Sequence, residues 1–300
     1  MLNDAHCHFF TMRFFAALGR GLPGVDPAAA GETAARRLGW DAPGDAEALS
    51  DHWIAELDRH GVTRAALIAS VPGDADAVGV AVSRHPRRFV GLFMVDPTLP
   101  DAEATTTRAI DRDGLRGICL FPAMHHCAIE DQRSRRIFDI AAARQGVAAF
   151  VHCGLLSVGA RKKLGLPSPF DVRFGNPLDL QAIALAHPNL PIIIPHFGAG
   201  LFREALMIGD LCSNVLFDTS SSNGWVKYHH GLTLESVFGQ ALAVVGPDRL
   251  LFGSDSSFFP RGWVKGVYEQ QRAALDRLDV GADAREKIFG GNFDRVFPLP

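Results

Sequence analysis

The sequence predicts a (β/α)8 barrel of the α/β class, a single domain over residues 1–300 with an insertion at 10–50 after the first strand. Three observations predict it. Short, nearly continuous apolar runs alternate with amphipathic stretches along the chain, and such runs are what strands buried on both faces of a parallel sheet require. Glycine and proline separate strand from helix at intervals that suit βα units. Polar side chains collect where several apolar runs end, as they do at the C-terminal mouth of a barrel. The competing architecture is a doubly wound open sheet. It is disfavoured because no Gly-x-Gly-x-x-Gly follows a strand and the polar residues close several strands rather than one crevice.

Composition narrows the function. Hydrophobic residues make up 47% of the 300 residues, enough for a sizeable core. A net charge of −3 leaves no electrostatic footprint for nucleic acid or an anionic membrane. The five cysteines show no paired spacing and no CxxC, which argues for reduced thiols and against cysteine-based zinc modules. No basic segment followed by an apolar one opens the chain, and no uncharged apolar run approaches about 20 residues. The expectation is a cytoplasmic protein without membrane contact.

In chain order, 2–9 (LNDAHCHF) reads as the first strand. Alternate side chains of a strand share a face, so His6 and His8 project together while Ala5, Cys7 and Phe9 face the other way. The insertion at 10–50 carries two short helices, 10–18 and 28–38, and a turn at 40–44. It is long for a plain connection. It reads as a lid or side wall, with Phe14, Phe15 and Trp40 available to seat it on the barrel or to touch substrate. From residue 51 the pattern is regular, with helices at 51–60, 74–83, 102–112, 132–145, 178–186, 202–211, 235–245, 264–278 and 284–289. Strands fall at 63–70, 89–95, 115–121, 148–152, 191–196, 215–218 and 250–254, which with the first makes eight.

Four of these strands end in groups suited to one metal: His6 and His8, His152, His196 and Asp255. A single histidine in such a place is ordinarily structural. Together, on the mouth of a barrel, imidazoles and a carboxylate suit zinc or a similar divalent ion with one position open to water. A bound water acidified toward a pKa of about 7 becomes a nucleophile at neutral pH.

The stretches DAHCH at the start, GLRGICLFP (114–122), VHCG (151–154), HPNLPIIIPHFGAG (187–200), LLFGSD (250–255) and IFGGNFDRVF (288–297) resemble the amidohydrolase-related family. That family, part of the amidohydrolase superfamily, holds aminocarboxymuconate-semialdehyde decarboxylase, resorcylate-type decarboxylases and lactone hydrolases. The resemblance implies that His6, His8, His152 and Asp255 hold one divalent metal, zinc with manganese as the alternative. It further implies that His196 stands beside the metal-bound water as general base or water-orienting group, and an ordinary pKa near 6.5 suits a base. Binuclear members carry a carboxylated lysine at the end of strand four; this chain has Gly117-Ile118-Cys119-Leu120-Phe121 there, so one metal is expected. A homodimer is expected by the same analogy.

Substrate contacts are expected in the loops after strands five and seven. Arg173, flanked by aromatic residues, is the candidate carboxylate clamp, whereas the run Arg161-Lys162-Lys163 reads as a solvated face. Lys227 and His230, and His125 and His126 after strand four, are further candidates. The leading expectation is a metal-dependent hydrolase of a small carboxylate-bearing lactone, ester or amide, with His196 as base. The alternative is a non-oxidative decarboxylase of an aromatic or muconate-type acid using the same ligands. A barrel that binds ligand without turnover is the reading from another class.

Overall fold

The computed structural model describes residues 1–221 and 224–299. Among these, eight parallel strands pair in chain order: β1 (Asn3–Phe9), β2 (Arg64–Ala69), β3 (Phe89–Val95), β4 (Gly117–Leu120), β5 (Ala148–Val151), β6 (Ile192–Ile194), β7 (Val215–Asp218) and β8 (Leu250–Leu251). Helices connect them, and the architecture is the (β/α)8 barrel. Strand β8 is too short to form a ladder with β1. The seam closes instead by Ala5 N–H to Phe252 O (2.8 Å), Asp255 N–H to His6 O (3.0 Å) and His8 N–H to Ser256 O (2.7 Å).

The pleat divides each strand between two cores. Ala66, Ile68, Val90, Leu92, Phe150, Ile193 and Leu216 fill the barrel, while Leu67, Phe89, Phe93, Ile118, Val215 and Phe217 pack outward against the helices. The base of the barrel is plugged by the last helix, Asn292–Val296, which places Phe293, Val296 and Phe297 in the inner cluster. Arg64 holds this plug by pairing with Asp294 and donating to the carbonyl of Phe297. The sequence pattern ends the final helix at 289. The chain instead runs on through a π-helical turn, because Phe293, Val296 and Phe297 at i, i+3 and i+4 have one apolar place to go.

Strict alternation fails once, in β1. The pairing with β2 shifts register between Asp4 and Cys7, a β-bulge. Ala5 belongs to the barrel interior and Cys7 and Phe9 to the outer core. Buried Asp4 fixes the bulge: Oδ1 accepts from the backbone N–H of His6 (2.9 Å) and Ser254 (3.0 Å), and Oδ2 from Trp263 Nε1–H (2.7 Å). Bulges re-aim side chains beside active sites, and here His6 and His8 keep their common inward aim while Ala5 turns in with them.

The insertion forms two helices, α1 (Met12–Gly19), capped by Thr11, and α2 (Ala30–Leu38). Phe14, Phe15, Leu18, Ala34, Ala35 and Leu38 bury one another, with Ala160 from the β5 loop. Each large side chain so buried contributes about 1.5–3 kcal/mol, which is enough to seat this unit on the barrel mouth as a side wall. No helix among the described residues is long and apolar enough to cross a membrane.

Candidate active site

His6 and His8 stand inside β1, and the other groups that carry chemistry lie just beyond the ends of their strands. His152 follows β5, His196 is two residues past β6, in a helical turn and not on the strand expected at 191–196, and Asp255 is four residues past β8, which stops at Leu251 and not at the expected 254. His196, Phe197, Ala199 and Asp255 have φ of +55°, +53°, +42° and +59°. Left-handed non-glycine residues of this kind cost roughly 1–3 kcal/mol each and persist only where their surroundings dictate them. Here the surroundings include Gly154. A Cβ on it would lie 2.1 Å from the Gly198 carbonyl oxygen, so the glycine of VHCG lets the β5 loop press against the His196 turn.

Hydrogen-bond partners fix which nitrogen of each ring is bare. His6 Nδ1 donates to the Asp218 carboxylate (2.6 Å), which leaves Nε2 as a lone pair. Ser70 Oγ donates to Ile68 O (3.0 Å), so it accepts from His8 Nδ1–H (2.8 Å), and His8 Nε2 is bare as well. The two Nε2 atoms stand 3.3 Å apart, and Asp255 Oδ1 lies 3.3 Å from His8 Nε2 and 3.7 Å from His6 Nε2. Two lone pairs and a carboxylate oxygen converging inside 4.8 Å form an arrangement that a divalent cation satisfies and that repels itself without one.

His152 lines the same cavity with its ring edge-on to His196 at 5.2 Å, but its nitrogens lie outside that tight group of three. Its Nδ1 is buried with no hydrogen-bond partner among the described residues. Burial, reinforced by His196 and His6, pushes its pKa well below the usual imidazole value. Burial likewise lowers His8 and His196. On His6 burial opposes the charge, yet the Asp218 carboxylate, together with Asp255 and Asp4, outweighs it and holds that pKa above its ordinary value. Neutral rings with bare nitrogens are the form that binds metal.

These residues form the floor of a cavity of about 500 Å3. Its walls are aromatic and come from three segments: Phe10, Phe14 and Trp40 of the insertion, Phe121 after β4, and Phe258 after β8. Phe10 stacks on Phe14 and Trp40 on Phe258, both at 3.6 Å between ring centres. Phe15 stays inside the insertion's own cluster. Two cations reach this wall. Lys163 Nζ lies 5.7 Å from the Trp40 ring centre and 6.0 Å from that of Phe258, and the Arg261 guanidinium 4.5 Å from the latter.

Arg173 is 85% exposed and pairs with Asp171, and Lys227 and His230 are exposed; none of the three lines this cavity. The local reason for Arg173 is a two-residue Asx turn in which Asp171 accepts both its backbone N–H and its guanidinium. His126 turns away to Pro169 O, and His125 also lies off the cavity wall. In the run 161–163, read as a solvated face, Lys162 and Lys163 are exposed, and Lys163 also borders the cavity. One helical turn, Gly159–Lys163, puts Gly159, Ala160 and Lys163 on one side of the helix, while Arg161 turns to Pro167 O. Sequence reasoning also passed over Asp218 and Ser70, and singled out Ser220 only as the start of a loop able to shape a pocket. The available signal for Asp218 was a carboxylate closing an otherwise apolar strand, VLFD.

Residues 3–299 match the amidohydrolase family. No curated protein matches the chain at a significant level. Among solved structures it is similar to 5-carboxyvanillate decarboxylase of Sphingomonas paucimobilis, with 16% identity, TM-score 0.66, and 100% of this chain and 99% of that one covered. The Novosphingobium aromaticivorans 5-carboxyvanillate decarboxylase, complexed with manganese and 4-hydroxy-3-methoxy-5-nitrobenzoic acid, gives 18% identity, TM-score 0.67, and coverage of 100% and 96%. A probable 2-pyrone-4,6-dicarboxylic acid hydrolase of Acinetobacter baumannii gives 14% identity, TM-score 0.60, and coverage of 99% and 98%. At these identities the likeness is one of fold. The family match spans nearly the whole sequence, and the chain belongs to the amidohydrolase family.

Proposed function

We propose that this chain is a metal-dependent hydrolase of a small carboxylate-bearing lactone, ester or amide, with His196 as general base. The observation that carries the reading is the convergence of His6 Nε2, His8 Nε2 and Asp255 Oδ1 on the floor of an aromatic cavity that His196 shares. His6, His8 and Asp255 would hold one divalent ion, zinc or manganese, with His152 as a further donor on the same wall. Such an ion supplies Lewis acidity toward a substrate carbonyl and acidifies water to a pKa of about 7.

The chain's own residues do the rest. His196 is neutral because burial disfavours its charge, so its cavity-facing nitrogen can take a proton. The walls of Phe10, Phe14, Trp40, Phe121 and Phe258 exclude water and accept a flat apolar body. Lys163 and Arg261 orient that body by its carboxylate, taking the role that the sequence assigns to Arg173, Lys227 and His230. The Lys163 ammonium has no ion-pair partner among the described residues, so it is free to meet an anion.

A second reading, decarboxylation of an aromatic acid, is favoured by the aromatic lining of Phe10, Phe14, Trp40, Phe121 and Phe258, which suits a planar substrate. In it His196 first takes a proton from a substrate hydroxyl and then returns it to the ring carbon that loses carbon dioxide. The deciding experiment is elemental analysis of the purified chain and of Asp255→Ala and His152→Ala, followed by incubation with lactones and aromatic acids in 18O-water. About one zinc or manganese per chain and uptake of 18O into product support hydrolysis. Carbon dioxide release without water addition overturns it in favour of decarboxylation. Metal bound with no substrate consumed points to a binding barrel.

A further inference from the structure

The carboxylate that fixes His6 also reaches His196, through a serine. Ser220 Oγ lies 2.9 Å from Asp218 Oδ2, 2.9 Å from His196 Nδ1 and 2.9 Å from His6 Nδ1. Asp218 and Ser220 are fully buried and His196 is only 8% exposed, so no bulk water competes for these bonds. One arrangement of protons satisfies all of them. Asp218 is acceptor-only, and its Oδ1 takes the backbone N–H of Ser220 (2.7 Å). Its Oδ2 takes His6 Nδ1–H and the Ser220 hydroxyl hydrogen. The hydroxyl has then spent its one hydrogen and can only accept, so His196 Nδ1 must carry a proton. The Ser220 carbonyl, 3.3 Å from the same Nδ1, is also acceptor-only and demands the same tautomer.

We propose that Ser220 is a positioning residue, anchored on Asp218, that locks His196 in its Nδ1–H tautomer and turns a bare Nε2 toward the cavity. The ring needs such a tether. His196 sits at φ +55° and its neighbour Phe197 at +53°, so the local backbone by itself does not favour the orientation. Gly253 makes room for the device: a Cβ there would lie 2.4 Å from Asp218 Oδ1, 2.9 Å from Ser220 Cβ and 3.0 Å from His6 Cβ. The glycine of LLFGSD is thus a gap in which side chains from β1, the end of β7 and the loop after it meet. The consequence is that a single buried carboxylate sets the bare nitrogen of both a metal ligand and the base, so the two roles are coupled.

That His196 is the base rests on the function proposed above; its tautomer does not, and it is measurable without a substrate. The test is 15N NMR of histidine-labelled chain, metal-free and zinc-loaded, with His196→Gln to assign the His196 signals. The native chain is expected to show a protonated Nδ1 and an unprotonated Nε2 at His196 in both states. Ser220→Ala is expected to populate both tautomers in the metal-free chain while binding the same amount of zinc, and Ser220→Thr, which keeps the hydroxyl, to restore the native pattern. A native His196 protonated at Nε2 overturns the inference, as does a Ser220→Ala chain that keeps the pure Nδ1–H form. Should Ser220→Ala fail to fold, the native spectrum and the Thr variant decide. A chain that turns over none of the substrates offered yet shows the Nδ1–H tautomer overturns the hydrolase reading and leaves this one standing.

Discussion

The backbone of Gly154 passes so close to Gly198 that a β-carbon on Gly154 would lie 2.1 Å from the Gly198 carbonyl oxygen. Gly154 also has φ of +75°, where side chains are strained. The contact presses the β5 loop onto the turn that carries His196, and Leu155 N–H donates to Ala199 O (2.8 Å) to hold it. Gly154→Ala is therefore expected to destabilise the fold by about 2–4 kcal/mol, from overpacking and a strained φ together. Urea unfolding checks the stability, and metal content checks whether the site survives. An unchanged midpoint would show that the two loops can separate freely.

Asp218 should govern metal affinity without touching the metal. Its 2.6 Å bond to His6 Nδ1 fixes the ring and makes Nε2 a better donor. Asp218→Asn is expected to weaken metal binding by about 10- to 100-fold, the range usual for loss of such a partner. Ser70→Ala, which removes a neutral hydroxyl from His8, should cost less. Competition titration against a chromogenic chelator measures both, and equal losses in the two variants would contradict this ranking.

Lys163 and Arg261 predict a split in kinetic constants. Lys163→Met removes an anion-binding group from the cavity wall and leaves the hydrogen bonds of His6, His8, His196 and Asp255 in place, whereas Arg261→Met also removes the bond that its guanidinium donates to the Asp255 carbonyl (3.0 Å). In Lys163→Met, KM for a carboxylate substrate is expected to rise by about 10- to 100-fold, the worth of a charge-assisted hydrogen bond, with kcat changed much less, while Arg261→Met is expected to lower kcat as well. Arg173→Met, on a side chain 85% exposed and paired with Asp171, is expected to change neither. A KM effect confined to Arg173→Met would move the carboxylate contact to the surface loop.

Asp74 ties the insertion to the barrel and makes that join pH-dependent. It accepts a 2.6 Å hydrogen bond from Thr11, the cap of α1, and burial pushes its pKa up to about 6. A carboxyl raised on folding binds more protons in the folded state between pH 4 and 6, so its contribution falls as pH rises through that window. The cost at neutral pH is at most about 3 kcal/mol by the conversion of 1.36 kcal/mol per pKa unit. Asp74→Asn keeps the acceptor for Thr11 and is expected to raise Tm relative to the native chain at pH 7.5 but not at pH 4. A Tm difference independent of pH would contradict the shift.

Local patterns in the sequence specified the barrel, the lid-like insertion and the ring of His6, His8, His152, His196 and Asp255 around one mouth. Each depends on side-chain period, turn residues or strand ends, which act over a few residues and leave a visible trace. What decided the working site acts between segments far apart in the chain. Asp218 meets His6 across 212 positions, Asp4 meets Trp263 across 259, and Lys163 reaches Trp40 only because one helical turn in an irregular loop points it there. The bulge in β1 and the left-handed turn at His196 break the alternation on which strand reading relies, and both are imposed by contacts from other strands. Sequence periodicity determined which residues stand at the mouth. Only tertiary hydrogen bonding decided which nitrogen of each histidine is bare, because a ring's proton is placed by the acceptor packed against it.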